Sequence, residues 1–150
     1  MSDDGRFRPF FSVHGMLIRD GKIFLIRRYK TGWRDGEYTC PAGHVEEGES
    51  VYDAAIREVR EEASVEIEKA DLEVVHVLQR RYPQTGERTY VDLFLLVKKW
   101  KGEPANAEPD KADDGQWFSL DALPENLLQY HKQAFDLYQK GIHFSEFGFE

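Results

Sequence analysis

Cysteine is almost absent from this chain of 150 residues, in which Cys40 is the only one. A single thiol excludes an internal disulfide framework and any zinc site built from several cysteines. Long apolar runs are also missing, since none approaches the roughly 18 residues that a membrane-spanning helix requires. Internal repeats, low-complexity tracts and linkers are absent as well. The sequence therefore predicts a soluble protein of a reducing compartment with no membrane partner.

Basic residues are outnumbered: 20 lysines and arginines stand against 28 aspartates and glutamates, and the formal net charge is −8. This balance disfavours nonspecific binding to a nucleic-acid polymer. The start, Met1 to Asp4, lacks the basic and apolar regions of a signal peptide, so we expect a cytoplasmic protein. With 41% apolar residues, a chain of this length is expected to fold as one domain over residues 1–150. Monomer and homodimer both stay open.

The order of the predicted elements favours an α/β sandwich with a mixed β-sheet. Two β-compatible runs, Val13 to Arg19 and Lys22 to Arg28, are joined by Asp20-Gly21, a pair that suits a tight hairpin turn. The other expected elements are a loop over 29–37, a short strand over 38–40, a loop over 43–49, strands over 72–82 and 89–100 joined by a turn at 83–86, a polar segment over 101–115, a short strand over 116–120 and a second helix after Pro124.

The segment from Ser50 to about Ala63 predicts an amphipathic helix. Ser50 supplies an N-cap oxygen and Asp53 a carboxylate three residues later, which together resemble a capping box. An apolar stripe at helical spacing would seat this helix on the sheet. The stripe consists of Tyr52, Ala55, Ile56, Val59 and Ala63.

Three glutamates of this helix suggest a chemistry. Glu58, Glu61 and Glu62 are spaced i, i+3 and i+4, so their carboxylates lie close together beside the stripe. Like charges so placed repel, and a divalent cation such as Mg²⁺, with Mn²⁺ as a substitute, would neutralise them. Arg57 is placed to pair with Glu61 or with Glu49 of the preceding loop. On the helix alone, an ordinary solvated charged face is an equal alternative.

The spacing around these glutamates resembles the signature of the Nudix hydrolases. In this chain it consists of Gly43, five residues, Glu49, seven residues, Arg57-Glu58-Val59, one residue, Glu61-Glu62, one residue and Ser64-Val65. Ser64 stands where the family normally has glycine, which suits a helix end with positive φ; serine there costs about 1 kcal/mol. Residues 40–49 resemble the family's entry loop, with Ala42 where glycine is frequent. Residues 100–104, 108–111, 117–118 and 123–124 are similar to the MutT-like branch acting on nucleoside triphosphates, and 144–149 to the tail of some bacterial members.

The resemblance implies a Nudix-type α/β/α sandwich and attack of water on a phosphorus of a nucleoside diphosphate linked to another group. It implies that Glu58, Glu62 and the carbonyl of Ala42 are metal ligands, and that Glu61 is a further ligand or orients the attacking water. Arg57 and Glu49 would hold the loop against the helix. A nucleoside triphosphate would give a nucleoside monophosphate and pyrophosphate. The alternatives are a nucleotide-sugar or ADP-ribose-like substrate, and a catalytically silent nucleotide-binding regulatory module.

Several residues outside this segment are weaker candidates. Arg27 and Arg28 end the first hairpin and are candidates for binding distal phosphates, although strand-end arginines are often plain surface residues. A carboxylate from the opposite loop is also expected near the site; the candidates are Glu108, Asp110, Asp113 and Asp114. His14 and His44 have no partner histidine at zinc-site spacing, which favours structural roles. Four aromatic residues could either stack on a nucleotide base or fill the core: Tyr29, Trp33, Tyr82 and Trp117.

Overall fold

Residues 4–82 and 88–149 are described by the computed structural model of this chain. The elements in chain order are β1 (Phe10–Arg19), β2 (Lys22–Arg28), β3 (Tyr38–Thr39), β4 (Ala42–His44), α1 (Val51–Ala63), a 3₁₀ turn (Lys69–Asp71), β5 (Leu72–Arg80), β6 (Tyr90–Val97), β7 (Ala112–Ser119), α2 (Gln129–Gln139) and β8 (Phe144–Phe147). Within these ranges, no helix is long and apolar enough to cross a lipid bilayer.

The strands form one mixed sheet. Its spatial order is β3, β2, β1, β6, β5 and β8, while β4 pairs with β1 and β7 pairs with β2. The pairs β1–β6 and β5–β8 are parallel, and the other pairs are antiparallel. The predicted mixed sheet is therefore confirmed.

Two apolar layers cover the sheet, because successive side chains of a strand point to opposite faces. Along β1, Val13 and Leu17 belong to the layer under α1, whereas Met16 belongs to the layer under α2. The first layer includes buried alanines of α1, and the second includes Tyr130 and Phe135 of α2. This arrangement confirms the predicted α/β/α sandwich.

Strand β1 forks, and the fork positions the site. Only its last two residues, Ile18 and Arg19, pair with β2, whereas residues 12–14 pair with β4. The segment 38–44 passes from one half of the sheet to the other, since β3 pairs with β2 and β4 pairs with β1. The Gly15 N–H donates to the carbonyl of Pro41 at 2.9 Å between these two pairings. Residues from both halves border the cavities described below.

The hairpin and the first helix agree with the sequence prediction. Asp20 and Gly21 have positive φ angles of 54° and 74°, as a tight turn between β1 and β2 requires. Two short strands are absent from the prediction: β4 lies at the start of the expected loop over 43–49, and β8 lies at the edge of the sheet beyond β5. Elements of three or four residues show too little alternation to be recognised from sequence.

The later boundaries shift by a few residues. The strand expected over 116–120 begins earlier, at Ala112, and the second helix begins at Gln129 rather than directly after Pro124. Leu127 N–H donates to the carbonyl of Pro124 at 3.2 Å, which closes a turn before the helix. The turn expected at 83–86 lies outside the described residues.

The buried face of α1 is rotated relative to the predicted stripe. Tyr52 is 36% exposed, so its place in the stripe is wrong; Val51 packs against the core from the first turn, and Ala54 is fully buried. At 3.6 residues per turn, Glu58 lies two turns after Val51 and one turn after Ala54, and Glu62 follows one turn later on the same face. Both glutamates are partly buried as a result.

Ser64 ends α1 in the left-handed conformation, with φ 62° and ψ 33°. Its N–H donates to the carbonyl of Arg60 at 3.1 Å, and its side chain is exposed. A non-glycine residue in this conformation costs roughly 1 kcal/mol, as predicted from the sequence.

Ser64→Gly is expected to raise the free energy of unfolding by about 0.5–1 kcal/mol, because relief of the left-handed strain exceeds the entropy that glycine adds to the unfolded chain. Thermal denaturation should show Tm higher by about 2 °C. Ser64→Ala is the matched control, since alanine removes the hydroxyl and keeps the strain. Equal stability of the glycine and alanine variants would contradict the explanation.

Candidate active site

Arg57 links the loop before α1 to the helix. Its Nε and Nη2 donate to the two carboxylate oxygens of Glu49 at 2.7 and 2.9 Å, and Nη2 also donates to the carbonyl of His44 at 3.1 Å. Nη1 donates to Glu58 at 2.7 Å and lies 3.6 Å from Glu61. The hydrogen bonds from Arg57 lower the pKa of Glu49 to about 2. Of the two partners that the spacing leaves open, Glu49 accepts both hydrogen bonds, as the family resemblance implies, and Glu61 lies farther away. Arg57 orients Glu58 as well.

Glu62 is the most perturbed carboxyl group of the helix. One of its oxygens accepts a hydrogen bond from the Ala42 N–H at 2.6 Å. Burial, with a smaller effect of the neighbouring carboxylates of Glu58 and Glu108, raises its pKa to about 8. Burial also raises the pKa of Glu58, against the lowering effect of Arg57. The structure therefore holds acidic groups close together where water is scarce, as functional sites often do.

Gly43 makes room for this cluster. A Cβ atom built on Gly43 would overlap the carboxyl group of Glu58. The glycine is thus needed for close approach of the loop to the helix, which sequence spacing alone does not reveal.

These groups suit a magnesium ion in their chemistry, since all of them offer oxygen. Across residues 4–82 and 88–149, however, no three carboxylate, imidazole or thiol side chains converge as a ready-made ligand set. Glu58 is engaged with Arg57, Glu62 with Ala42, and the side chain of Glu61 is 48% exposed. Mg²⁺ usually keeps several waters and takes phosphate oxygens as ligands, so one or two of these carboxylates suffice for it.

A cavity of about 440 Å³ lies beside Glu62, and we call it the first cavity. Acidic and basic side chains share its wall. The charged lining residues are Arg28, Lys30, Glu62, Glu108 and Lys111. This combination provides oxygen ligands for a cation and cationic donors for phosphate oxygens within one enclosure.

Among the four acidic candidates of the opposite loop, only Glu108 lines this cavity. Asp113 accepts a hydrogen bond from Arg27 at 2.7 Å, and Asp114 accepts one from the hydroxyl of Tyr38. Asp110 is exposed. Arg27 therefore points to Asp113 and lines neither cavity described here, whereas Arg28 lines both. Adjacent residues of a strand face opposite sides, which explains why the two arginines differ.

Arg28 is fixed by the loop after β2. Its Nε donates to the carbonyl of Trp33 at 2.6 Å and its Nη2 to the hydroxyl of Thr31 at 2.8 Å, while its guanidinium lies 4.9 Å from the centre of the Trp33 ring. The remaining N–H groups of the guanidinium are left for a ligand of the two cavities that it borders.

A second cavity of about 350 Å³ shares Arg28 and Ala42 with the first. Its wall is aromatic and basic. The aromatic rings and cationic groups that line it are Phe10, Trp33, Tyr90, Tyr130, Arg28, Arg80 and Arg88, with His14 and His44. Of the candidate stacking residues, Trp33 alone borders it, while Trp117 packs in the core against Trp100 and Phe24.

Beneath the second cavity lies a buried polar network that the sequence analysis misses. Asp92 is fully buried and accepts hydrogen bonds from Arg80 Nε at 2.7 Å, Arg80 Nη2 at 3.2 Å and His14 Nε2 at 3.0 Å. These bonds hold the pKa of Asp92 below its usual value although burial opposes them. A lone aspartate inside the apolar run of β6 is the signal that could have identified it, because buried carboxylates are rare unless paired.

His14 is structural in this network, in line with the sequence expectation. Burial lowers its pKa, so it is neutral and donates Nε2–H to the Asp92 carboxylate. Its ring stacks on Phe94 with centroids 4.5 Å apart. His44 is exposed and stacks on Phe10 at the rim of the second cavity.

Comparison with known proteins decides the family. A model of the NUDIX domain matches residues 9–140. The chain belongs to the Nudix hydrolase family. Divalent metal ions are typical cofactors of the hydrolases of this family.

Relatives of this Nudix hydrolase have more than one named activity. It is 42% identical over 109 residues to the NAD-capped RNA hydrolase NudC of Pseudomonas aeruginosa (strain LESB58). The alignment covers 73% of this chain and 36% of that protein. It is 30% identical over 124 residues to the ADP-ribose pyrophosphatase of Methanocaldococcus jannaschii, covering 83% of this chain and 70% of that protein. The chain thus spans about a third of the length of NudC. NudC is named for an RNA substrate, whereas the sequence of this chain predicts no nucleic-acid polymer as a partner.

Solved structures support the fold. The crystal structure of a MutT NUDIX hydrolase from Burkholderia pseudomallei aligns with a TM-score of 0.79 at 31% identity, covering 87% of this chain and 98% of that chain. The resemblance to the MutT-like proteins stated from the sequence is thereby confirmed.

Proposed function

We propose that this Nudix hydrolase catalyses Mg²⁺-dependent hydrolysis of the diphosphate linkage in a nucleoside diphosphate joined to another group, releasing a nucleoside monophosphate. The observation that supports this proposal is the wall of the first cavity, where Glu62 and Glu108 lie together with Arg28, Lys30 and Lys111. A diphosphate with its cation requires both kinds of group at once.

Glu58, Glu61 and Glu62 would hold the ion, with the carbonyl of Ala42 as a further ligand and Mn²⁺ as an alternative metal. When bound, the ion neutralises charge on the phosphate oxygens and lowers the pKa of a water molecule. Arg57 positions Glu58 through the 2.7 Å hydrogen bond, and Glu49 fixes Arg57.

The other residues of the cavity act on the substrate. Arg28 donates to phosphate oxygens from a guanidinium that Trp33 and Thr31 already orient. Lys30 and Lys111 add positive charge at the same wall. A carboxylate of Glu61 or Glu108 accepts the proton of the attacking water, because an ionised carboxylate within reach of the water is a general base.

Two substrate types fit this scheme. A nucleoside triphosphate is the one that the sequence pattern favours, with pyrophosphate as the second product. ADP-ribose or a nucleotide sugar is favoured by the ADP-ribose pyrophosphatase relative. The two cavities joined at Arg28 and Ala42 give room for a planar group at one end of either substrate.

Hydrolysis of a substrate panel with Mg²⁺ tests the proposal. The panel contains the common nucleoside triphosphates, dinucleoside polyphosphates, nucleotide sugars, ADP-ribose, NAD and an NAD-capped oligonucleotide, and the assay measures release of nucleoside monophosphate. Activity on at least one compound, abolished by EDTA and restored by Mg²⁺, is the expected result. Absence of any monophosphate across the panel would overturn the proposal.

A catalytically silent nucleotide-binding module is the competing function. The presence of every charged residue of the signature supports catalysis instead. Glu61→Gln distinguishes the two: in an enzyme it should lower turnover and leave nucleotide affinity within a few fold, whereas a silent module has no turnover to lose.

A further inference from the structure

The second cavity combines several features, and of its lining side chains the proposed diphosphate chemistry uses only Arg28. Three arginines and four aromatic rings line it, and among its described lining residues there is no aspartate or glutamate. The chain as a whole carries a net charge of −8, so this local excess of cationic donors is not a reflection of average composition. A wall of this kind suits a planar ligand that presents hydrogen-bond acceptors.

Arg80 is the most constrained of the three arginines. It is 4% exposed, and its guanidinium lies 4.0 Å from the centre of the Tyr90 ring and 4.1 Å from that of Tyr130. Aromatic rings thus approach the guanidinium, which leaves its edge rather than its face for a ligand. Asp92 accepts from Nε and Nη2, so two of the five N–H donors of the guanidinium are used.

The donors that remain on Arg80 favour one kind of acceptor. A carbonyl oxygen has two lone pairs and can accept more than one of them, whereas a ring nitrogen has one, and an exocyclic amino group would oppose its N–H to those of the arginine. His14 adds an acceptor on the same wall: its Nδ1 is buried and has no hydrogen-bond partner within the described structure. A ring N–H next to the carbonyl would satisfy that nitrogen.

We infer that Arg80 is a specificity-determining residue, whose guanidinium edge donates to a carbonyl oxygen of the planar ring held in the second cavity. The inference rests on the proposed function, since the ring belongs to the nucleotide whose diphosphate occupies the first cavity. Oxo bases such as hypoxanthine, guanine and uracil carry the required carbonyl beside an N–H. Adenine and cytosine carry an amino group in its place. A cavity that selects adenine would therefore bind adenine nucleotides more tightly than oxo-base nucleotides, which is the opposite of the order expected here.

Two pairs of mononucleotides isolate this edge of the base. IMP carries a carbonyl and an adjacent ring N–H where AMP carries an amino group and a ring nitrogen without hydrogen, and UMP and CMP differ in the same way. Titration calorimetry without metal measures their binding independently of hydrolysis, with ribose 5-phosphate as the probe that has no base. We expect IMP to bind at least fivefold more tightly than AMP, and UMP at least fivefold more tightly than CMP. Ribose 5-phosphate should bind more weakly than IMP and UMP.

Arg80→Lys is the test variant, because lysine keeps a positive charge beside Asp92 and loses the planar set of donors. We expect the IMP-to-AMP affinity ratio to fall to within twofold of one. Arg81→Lys is the matched control: the same substitution one residue along, at an exposed side chain, should leave the ratio unchanged. Where the nucleoside triphosphates are hydrolysed, the ITP-to-ATP ratio of kcat/KM should follow the same pattern, mainly through KM.

The outcomes separate this inference from the proposed function. Base-selective binding that depends on Arg80, in a protein with no hydrolytic activity, would support the inference and refute the function. Equal binding of each pair, a preference for AMP and CMP, or a preference that survives Arg80→Lys would overturn the inference, as would binding of ribose 5-phosphate as tight as that of IMP. If the lysine variant does not fold, NMR of the arginine side-chain N–H groups replaces it: the Arg80 signals must shift on adding IMP more than on adding AMP.

Discussion

Replacing Glu62 with glutamine is expected to lower kcat/KM by about 10³-fold while making the metal-free protein more stable at pH 8. The loss of activity follows from the proposed metal role, since interactions worth several kcal/mol of transition-state stabilisation correspond to losses of this size. The gain in stability follows from burial. An amide oxygen still accepts the hydrogen bond that Ala42 N–H donates at 2.6 Å, and it carries no charge to be desolvated.

The sign of the pH dependence follows from the pKa of Glu62. Its folded-state pKa of about 8 exceeds the value of about 4.3 expected for an unfolded chain, so the folded metal-free protein holds its proton more tightly. Wild-type stability therefore falls, relative to the glutamine variant, as pH rises through this window. The difference in the free energy of unfolding should grow from near zero at pH 4 to about 2 kcal/mol at pH 8, because water entry and relaxation reduce the full linkage value.

Urea denaturation at pH 5 and pH 8, with and without Mg²⁺, checks both halves of this prediction. Mg²⁺ should raise the stability of the wild type at pH 8 and leave that of Glu62→Gln unchanged. Glu47→Gln is the matched control, an exposed glutamate of the loop before α1, and should change neither quantity. A glutamine variant that retains activity within tenfold of the wild type would remove Glu62 from the metal site. A stability difference independent of pH would show that burial does not raise the pKa of Glu62 in the folded protein.

The local part of this site is predictable from sequence because short-range geometry determines it. The cap at Ser50, where the hydroxyl accepts from Asp53 N–H at 3.1 Å, and the i, i+3, i+4 spacing of the glutamates depend only on helical periodicity. Helical spacing leaves Glu61 or Glu49 as partner of Arg57, and the choice of Glu49 follows from the family resemblance. The rotation that exposes Tyr52 and buries Glu58 is not, since it depends on how the helix meets the sheet.

The second cavity has no comparable signature in the sequence. Its residues come from β1, β2, β4, β5, β6, α2 and two loops, and most of them meet only because β1 pairs with β6 on one side and with β4 on the other. Arg80 and Asp92 come together through the register of β5 and β6, in which Leu78 pairs with Asp92 and Arg80 pairs with Tyr90. A shift of that register by one residue would turn Arg80 to the opposite face, and a register is not fixed by composition.

Asp92→Ala is expected to lower the free energy of unfolding by about 3–5 kcal/mol, the largest stability effect among the substitutions considered. Removal of the carboxylate leaves the Arg80 guanidinium charged and buried without its partner, and leaves His14 Nε2–H without its acceptor. Tm should fall by about 10 °C for a domain of this size. Since the pKa of Asp92 is lowered in the folded state, this contribution is present above about pH 4 and is lost as pH falls below it.

The ion pair of Arg27 with Asp113 provides the matched control. The Nε–Oδ1 distance of that pair is 2.7 Å, equal to the Nε–Oδ2 distance of Arg80 and Asp92, but its side chains are 36% and 37% exposed, against 4% and 0% in the buried pair. Asp113→Ala should therefore cost less than about 1 kcal/mol, because water replaces the lost partner. Equal losses for the two alanine variants would show that burial does not set the strength of these pairs.

The double substitution Arg80→Met with Asp92→Leu separates stability from recognition. Apolar side chains of similar volume replace a buried ion pair at little cost, so this variant should recover the part of the lost stability that comes from the unpaired Arg80 guanidinium, while His14 Nε2–H stays without its acceptor. It removes the guanidinium edge at the same time and should bind IMP and AMP with similar affinity. Recovered stability together with lost base selectivity would show that the Arg80–Asp92 pair serves binding. Failure of the double variant to recover stability would assign the pair a structural role.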